Sequence, residues 1–173
     1  MTTSISARAQ LTRAIEQNGG DVLRYLERRL GADDAADALV EVMIVTWRRL
    51  DSLPDEAEQA RMWLFGIARN VVANGERGER RRRNLAERLR VTMAAAPTEA
   101  PPADEGLEVR DAIARLAPEQ AELVRLIHWE GFTIAEAGAI LDVAPSTART
   151  RYQRARADLK SALADTPAEK HRA

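Results

Sequence analysis

The chain has 173 residues and a formal net charge of −1, and 45% of its residues are hydrophobic while only 4% are aromatic. This length suits one domain or two small ones, and the largely aliphatic composition favours helices packed on helices. Cysteine is absent, which excludes disulfides, thiol catalysis and cysteine–zinc sites. His128 and His171 are the only histidines and are too few for a metal cluster, so we expect no metal and no cofactor.

The N-terminus and the distribution of apolar residues indicate a cytoplasmic protein. The first ten residues, MTTSISARAQ, lack the apolar segment of a signal peptide. No apolar run approaches the roughly 18 residues that a membrane-spanning helix requires. We therefore expect no membrane insertion.

The near-zero net charge conceals an alternation of acidic and basic segments. Residues 1–60 contain eleven acidic residues and seven arginines, whereas residues 69–90 contain eight arginines and three glutamates. The same change recurs between residues 107–142, with seven acidic residues and three arginines, and residues 143–160, with five basic residues and one aspartate. Two separate basic segments predict that the chain contacts nucleic acid at two places.

A segment rich in proline and alanine divides the chain. Residues 91–106 read VTMAAAPTEAPPADEG, a composition with little to bury, and predict a linker extended around its prolines. We therefore predict an all-α protein of two small helical domains, residues 1–90 and 107–164. The polar residues 165–173 are predicted to form a tail.

Three helices are predicted in the first domain from residues recurring at helical spacing. Asp21 is expected to cap the first helix, which ends at Gly31, and Asp33 or Asp34 to cap the second. The second helix is expected to close before Pro54 and to turn inward Ala36, Leu39, Val40, Met43, Ile44 and Trp47.

The third helix begins near residues 56–59 and includes Trp63, Leu64, Ile67 and Val71. Trp63 and Phe65 are aromatic side chains that could stack on bases, although their helical spacing favours core packing. The pattern beyond Val72 leaves helix continuity open, since Gly75 and Gly78 each cost about 1 kcal/mol inside a helix.

In the second domain the pattern predicts three or four helices, near residues 107–116, 118–129, 133–141 and 145–163, the last two forming a helix-turn-helix. Thr133 and Glu136 have the spacing of a capping box. The apolar side chain of Val143, in the short turn, is expected to point into the core, and Pro145 is expected to begin the last helix. Its core side is predicted to consist of Ala148, Tyr152, Ala155 and Leu159.

The outward side of that last helix has the chemistry of a DNA recognition helix. Small hydroxyl side chains at its start let it approach the major groove, and arginine can bind guanine in bidentate fashion or contact phosphate. The DNA-binding residues predicted here are Pro145, Ser146, Thr147, Arg149, Thr150, Arg151 and Arg154.

Residues 107–163 resemble the promoter-binding domain of extracytoplasmic-function sigma factors of bacterial RNA polymerase. The shared segments read APE from Ala117, EGF from Glu130, and TARTR from Thr147 followed by RAR. The resemblance implies that this helix reads the upstream (−35) promoter element. The chain departs from the family pattern at Asp142 in place of the turn glycine, an exchange that a left-handed aspartate tolerates. It also departs at Ala137 and Ala148, whose smaller side chains predict a looser or reoriented recognition helix.

The first domain carries two further resemblances to the same family. Residues 37–47, DALVEVMIVTW, resemble its core-polymerase-binding helix, which implies that Asp37 and Glu41 meet polymerase. These two carboxylates are predicted to lie one turn apart on one helix face, away from the apolar stripe of Leu39, Val40 and Met43.

Residues 62–70, MWLFGIARN, resemble the segment that holds a flipped base of the −10 promoter element. Flipping suits strand opening because an unstacked base exposes its Watson–Crick edge. By resemblance, Asn70 would hold this base, with Leu53 and the acidic loop 54–60 beside it. A basic run follows that is expected to bind phosphates without reading sequence: Arg80, Arg81, Arg82 and Arg83.

The resemblance implies a sigma factor that binds core RNA polymerase and promoter DNA, with an anti-sigma factor as a further partner. A helix-turn-helix regulator that is not a sigma factor is the alternative, but it leaves the segments of the first domain unexplained. An enzyme is not expected, because the sequence has neither a histidine or cysteine dyad nor a glycine loop for phosphate, and no small-molecule substrate is predicted. A protein that binds polymerase without reading promoters is a further possibility.

Overall fold

The computed structural model describes residues 2–90 and 107–164, with side chains from 7 to 75 and from 109 to 164. All regular structure in these residues is helical, which confirms the all-α class. The chain divides into two compact units, Met1–Thr98 and Glu99–Ala173. The predicted linker 91–106 and tail 165–173 lie outside the described residues. None of the described helices has the length and apolarity needed to cross a membrane.

The first unit is built from three mutually packed helices. They are α1 (Thr2–Leu30), α2 (Ala32–Arg48) and α3 (Ala57–Arg90), with a single 3₁₀ turn at Leu50–Ser52 between the last two. Tyr25 of α1 and Phe65 of α3 are both fully buried and meet edge to face, with their ring centroids 5.4 Å apart. Phe65 is therefore a core residue, as its helical spacing predicted.

Helix α1 is about twenty residues longer at its start than the sequence pattern predicted, so the predicted cap at Asp21 is wrong. Asp21 lies within the helix and pairs with Arg24. The longer helix buries a continuous stripe at intervals of three and four residues, which outweighs the weak helix propensity of Gly19 and Gly20. The stripe consists of Leu11, Ala14, Asn18, Val22 and Tyr25.

Gly31 ends α1, as predicted, with a left-handed backbone (φ 84°) and its N–H donating to the Glu27 carbonyl at 2.9 Å. The same glycine is also the N-cap of α2, so the predicted caps at Asp33 and Asp34 are wrong. Both aspartates lie in the first turn of α2 instead. Their charge there is favoured by the helix dipole.

Helix α2 turns a different side inward from the one predicted. Its buried residues are small or β-branched: Ala35, Ala38, Val42 and Thr46. Most of the predicted inward set is wrong: Val40, Ile44 and Trp47 are 59%, 45% and 55% exposed, Ala36 is also exposed, and only Leu39 and Met43 are half-buried. Small side chains allow α1 and α3 to pack closely on α2, and the larger apolar side chains consequently remain on its outer side.

Helix α3 continues without interruption through Gly75 and Gly78 to Arg90. It therefore carries Arg80, Arg81, Arg82 and Arg83 on one helix with the residues of the core. The side chains of these four arginines lie outside the described part of the structure.

The second unit contains the four helices that the sequence predicted, each within one residue at either end. They are α4 (Leu107–Arg115), α5 (Pro118–His128), α6 (Ile134–Ile140) and α7 (Pro145–Ala164). Tyr152 and Leu159 of α7 pack on a buried core cluster, as predicted: Ile113, Leu116, Ala121, Val124 and Ala155.

Candidate functional site

The turn between α6 and α7 has helix-turn-helix geometry. Thr133 caps α6: its hydroxyl accepts from the Glu136 N–H at 3.2 Å, and the Glu136 carboxylate accepts from the Thr133 N–H at 2.7 Å, which confirms the capping box. Asp142 has a φ of 56°, the left-handed conformation predicted for it. The turn is closed by the Val143 N–H, which donates to the Gly138 carbonyl at 2.9 Å.

The two helices of this motif approach closely at Gly138, a residue that the sequence analysis did not single out. A Cβ placed on Gly138 would lie 2.9 Å from the Ala148 Cβ and 3.4 Å from the Val143 carbonyl oxygen. Ordinary carbon–carbon contacts lie at about 3.5–4.0 Å. The small Ala148 therefore does not loosen the recognition helix, because Gly138 opposite it allows α6 and α7 to pack tightly.

The outward side of α7 presents most of the predicted DNA-binding residues to solvent. Pro145 and five further predicted residues are exposed: Ser146, Thr147, Arg149, Thr150 and Arg154. Two more exposed polar residues, Gln153 and Arg156, belong to this surface and were missed. The signal for Gln153 was available, since it follows Arg149 by four residues and shares its helix face.

Arg151 is less exposed than the other predicted DNA-binding residues of α7 and is paired with another helix. Its side chain is only 31% exposed, and its Nη1 lies 2.7 Å from the Glu119 carboxylate of α5. Next to it, Tyr152 is hydrogen bonded through its hydroxyl to Nε2 of His128, at 2.9 Å. Consecutive residues of α7 are therefore tied to α5, a pairing that cannot be read from the sequence of either helix.

An apolar surface runs along the outer side of α2. This surface forms an open groove of about 480 Å³, lined by Leu39, Val40, Met43, Ile44, Trp47 and Arg48. Asp37 and Glu41 are exposed beside it. With 100° per residue, Asp37 neighbours Val40, and Glu41 neighbours Ile44, across one turn. The two carboxylates thus lie away from Leu39 and Met43, as predicted, but next to Val40, which the prediction had placed away from them; we call the combined surface the α2 face.

The residues predicted to hold a flipped base lie on two elements of the first unit. Asn70 is exposed on α3, about 20 Å along the helix axis from its first residue, and Leu53 is half-buried after the 3₁₀ turn. Trp63 is half-buried on α3. A common pocket for Asn70 and Leu53 stays a prediction.

Gln10 of α1 orders the loop that precedes α3, a role the sequence analysis missed. Its side-chain amide donates to the Pro54 carbonyl at 2.9 Å and lies 3.4 Å from an Asp55 carboxylate oxygen. The last residues of the predicted loop 54–60 are helical, because α3 begins at Ala57. The path of this loop therefore depends on a residue more than forty positions earlier in the chain.

Two family models match the chain, one in each unit. Residues 14–82 match region 2 of the sigma-70 family, and residues 106–159 match its region 4. The α2 face and Asn70 lie within the first match, and the helix-turn-helix within the second.

Curated relatives and solved structures agree with these matches. The chain is 30% identical over 151 residues to the ECF RNA polymerase sigma factor SigL of Mycobacterium tuberculosis, covering 84% of this chain and 85% of that protein. Its fold is similar to that of the sigma factor RpoE in complex with the anti-sigma factor NepR from Bartonella quintana. That match has a TM-score of 0.64 and 22% identity, and covers 90% of this chain and 98% of that one. It is also similar to CnrH in complex with the cytosolic domain of CnrY, with a TM-score of 0.61 and 20% identity over 92% and 91% of the two chains. The chain belongs to the extracytoplasmic-function family of RNA polymerase sigma factors.

Proposed function

We propose that this sigma factor binds core RNA polymerase through the α2 face and directs transcription initiation by contacting promoter DNA through α7 and α3. The observation that carries the proposal is that both units match sigma-70 regions within one chain. A helix-turn-helix regulator that does not act with polymerase would have no need of the first match. Sigma factors are regulatory proteins and generally not enzymes. Because the proposed partner is RNA polymerase, the proposed site of action is the cytoplasm.

The α2 face has the composition of a protein-binding surface. Val40, Ile44 and Trp47 expose apolar area in a contiguous groove, and Asp37 and Glu41 border it. Exposed apolar patches bordered by polar residues are typical of interaction sites, and exposed tryptophan is frequent among residues that dominate binding energy. The partner best suited to this face is an amphipathic helix with basic residues along one side.

The two basic segments are proposed to divide the contacts with DNA. The exposed residues of α7, from Ser146 to Arg154, support a role in reading the −35 element, and we add Gln153, whose amide can bind adenine in bidentate fashion. Arg80, Arg81, Arg82 and Arg83 are proposed to contact phosphates, and Asn70 with Leu53 to hold a base of the −10 element. A run of four positive charges favours phosphate binding over base reading.

An anti-sigma factor is proposed as a further partner. RpoE of Bartonella quintana is held in a complex with the anti-sigma factor NepR, and CnrH in a complex with the cytosolic domain of CnrY. The exposed apolar area of the α2 face supports a partner that covers it when polymerase is not bound.

Run-off transcription from the promoter upstream of its own gene tests the proposal. Core polymerase with the wild-type chain should produce a transcript that core polymerase alone does not. The double variant Asp37→Arg/Glu41→Arg should lose this activity and bind polymerase weakly in a pull-down, with an unchanged circular dichroism spectrum.

The matched control is Glu16→Arg/Glu27→Arg, which reverses two exposed charges on one face of α1. It changes the net charge equally and should retain polymerase binding. If the folded Asp37/Glu41 variant bound polymerase as well as this control, the assignment of the α2 face would be withdrawn.

A further inference from the structure

We propose that Arg151 is a positioning residue that sets the angle of the recognition helix through Glu119 and does not itself contact promoter DNA. The inference rests on the proposed DNA-binding role of α7. It separates Arg151 from Arg149 and Arg154, which share its charge and its helix.

The geometry of the ion pair supports a structural role for Arg151. Its Nη1 lies 2.7 Å from Oε2 of Glu119, within the range of a charge-assisted hydrogen bond, and its side chain is 31% exposed. Glu119 lies in the first turn of α5, where the helix dipole favours its negative charge. The Glu119 carboxylate, whose side chain is 66% exposed, therefore competes with a DNA phosphate for this guanidinium.

The position of Arg151 around α7 leads to the same conclusion. At 100° per residue, Arg151 lies about 60° from the buried Ala148, whereas Thr150 and Arg154 lie about 160° and 120° from it. Arg151 is therefore near the side of α7 that packs on the rest of the unit. Of the exposed residues, Ser146 and Thr150 lie opposite Ala148, about 160° from it, and Thr147 and Arg149 lie about 100° from it.

Arg151 and Tyr152 contact α5 near its two ends. Arg151 reaches Glu119 in the first turn, and Tyr152 reaches His128, the last residue of α5. These two contacts are nine residues apart on α5, or about 13 Å. Because these two contacts start from adjacent residues of α7 and end at opposite ends of α5, they resist both rotation of α7 about its own axis and a change in the crossing angle between the two helices. The angle at which α7 enters a groove depends on both.

Binding of the full chain with core polymerase to promoter fragments, measured at several salt concentrations, tests this division of roles. Arg151→Met keeps the aliphatic stem, and Glu119→Gln removes only the charge. Each should reduce discrimination between −35 variants about two- to fivefold, the range of a partly exposed ion pair. Neither should change the slope of log affinity against log salt. The matched control Arg154→Met should lower that slope by about one unit, because a phosphate contact is lost.

Exchange of the two charges provides the decisive comparison. Arg151→Glu and Glu119→Arg should each impair −35 discrimination, and the double variant should restore it, because the pair is rebuilt with opposite polarity. If Arg151 contacts DNA, the double variant stays impaired, Arg151→Met lowers the salt slope as Arg154→Met does, and Glu119→Gln strengthens binding. Any of these results would overturn the inference while leaving the proposed function intact. A wild-type holoenzyme that failed to bind the promoter would overturn the proposed function, and this inference with it.

Discussion

Replacing Gly138 with alanine tests whether the close approach of α6 and α7 sets the stability of the helix-turn-helix. The added Cβ would lie 2.9 Å from the Ala148 Cβ, which is attached directly to the backbone and cannot rotate away. Overpacking of this kind costs about 1–3 kcal/mol. This cost is partly offset, because alanine stabilises a helix by about 1 kcal/mol relative to glycine. We therefore expect Gly138→Ala to destabilise the second unit by about 1 kcal/mol, and by about 2 kcal/mol at most.

The sign of the effect should reverse when the opposing methyl group is removed. In an Ala148→Gly background the clash is absent, so the helix propensity of alanine should make Gly138→Ala stabilising by up to about 1 kcal/mol. The two substitutions then couple by about 2 kcal/mol in a double-mutant cycle. Ala148→Gly alone should destabilise, because it loses both helix propensity and a buried methyl group.

Amide hydrogen exchange of the full chain at increasing urea concentrations measures this effect, because it reports the opening free energy of α6 and α7 separately from the first unit. The substitutions Gly138→Ala, Ala148→Gly and their combination complete the cycle. If Gly138→Ala raised protection in the wild-type background, or if the effects of the two substitutions were additive, the close approach would not limit stability.

Three further predictions concern binding and domain structure. Ile44→Ser/Trp47→Ser should leave the chain folded but lower the free energy of unfolding by about 1–3 kcal/mol per site, since each side chain is about half buried and Arg8 lies over the Trp47 ring, 5.5 Å from its centroid. The same variant should weaken polymerase binding about 30-fold or more if Trp47 dominates the interface; unchanged affinity in a titration would contradict this. Arg149→Ala should cost about 1–3 kcal/mol at one promoter position, whereas Arg154→Ala should weaken all −35 sequences alike; equal losses for Arg149→Ala across promoter variants would show that this helix holds DNA without reading it. Limited proteolysis should cut first within residues 91–106, and earlier cleavage within residues 20–70 would show that the predicted boundary is misplaced.

The sequence by itself determined the helix boundaries of the second unit to within one residue, because its helices carry local signals. Pro118 and Pro145 open helices, Thr133 and Glu136 form a capping box, and a left-handed turn residue separates α6 from α7. Each signal acts within four residues, and the structure places each of them as predicted. The family resemblance, which also rests on short contiguous motifs, was recognisable for the same reason.

Only the tertiary structure decided which faces of the helices are buried. Helix α2 has apolar residues nearly all around, so spacing alone could not distinguish the side that packs from the side that stays exposed. Its packing on α1 and α3 selected the small residues Ala35 and Ala38 and left Ile44 and Trp47 outside. Helix α1 likewise extends through two glycines because burial along its length exceeds their local cost.

Long-range pairing likewise could not be predicted from the sequence. In the sequence, Arg151 cannot be distinguished from the other arginines of α7. Its partner Glu119 lies on α5, thirty-two positions earlier in the chain, and only the packing of the two helices places them together. Gln10 meets the loop at Pro54 in the same way. Gly138 reads as an unremarkable helix residue until Ala148 is placed opposite it. In each case the sequence determines which chemical groups are present, and the packing of distant helices determines which partner each group meets and whether it remains available to DNA or polymerase.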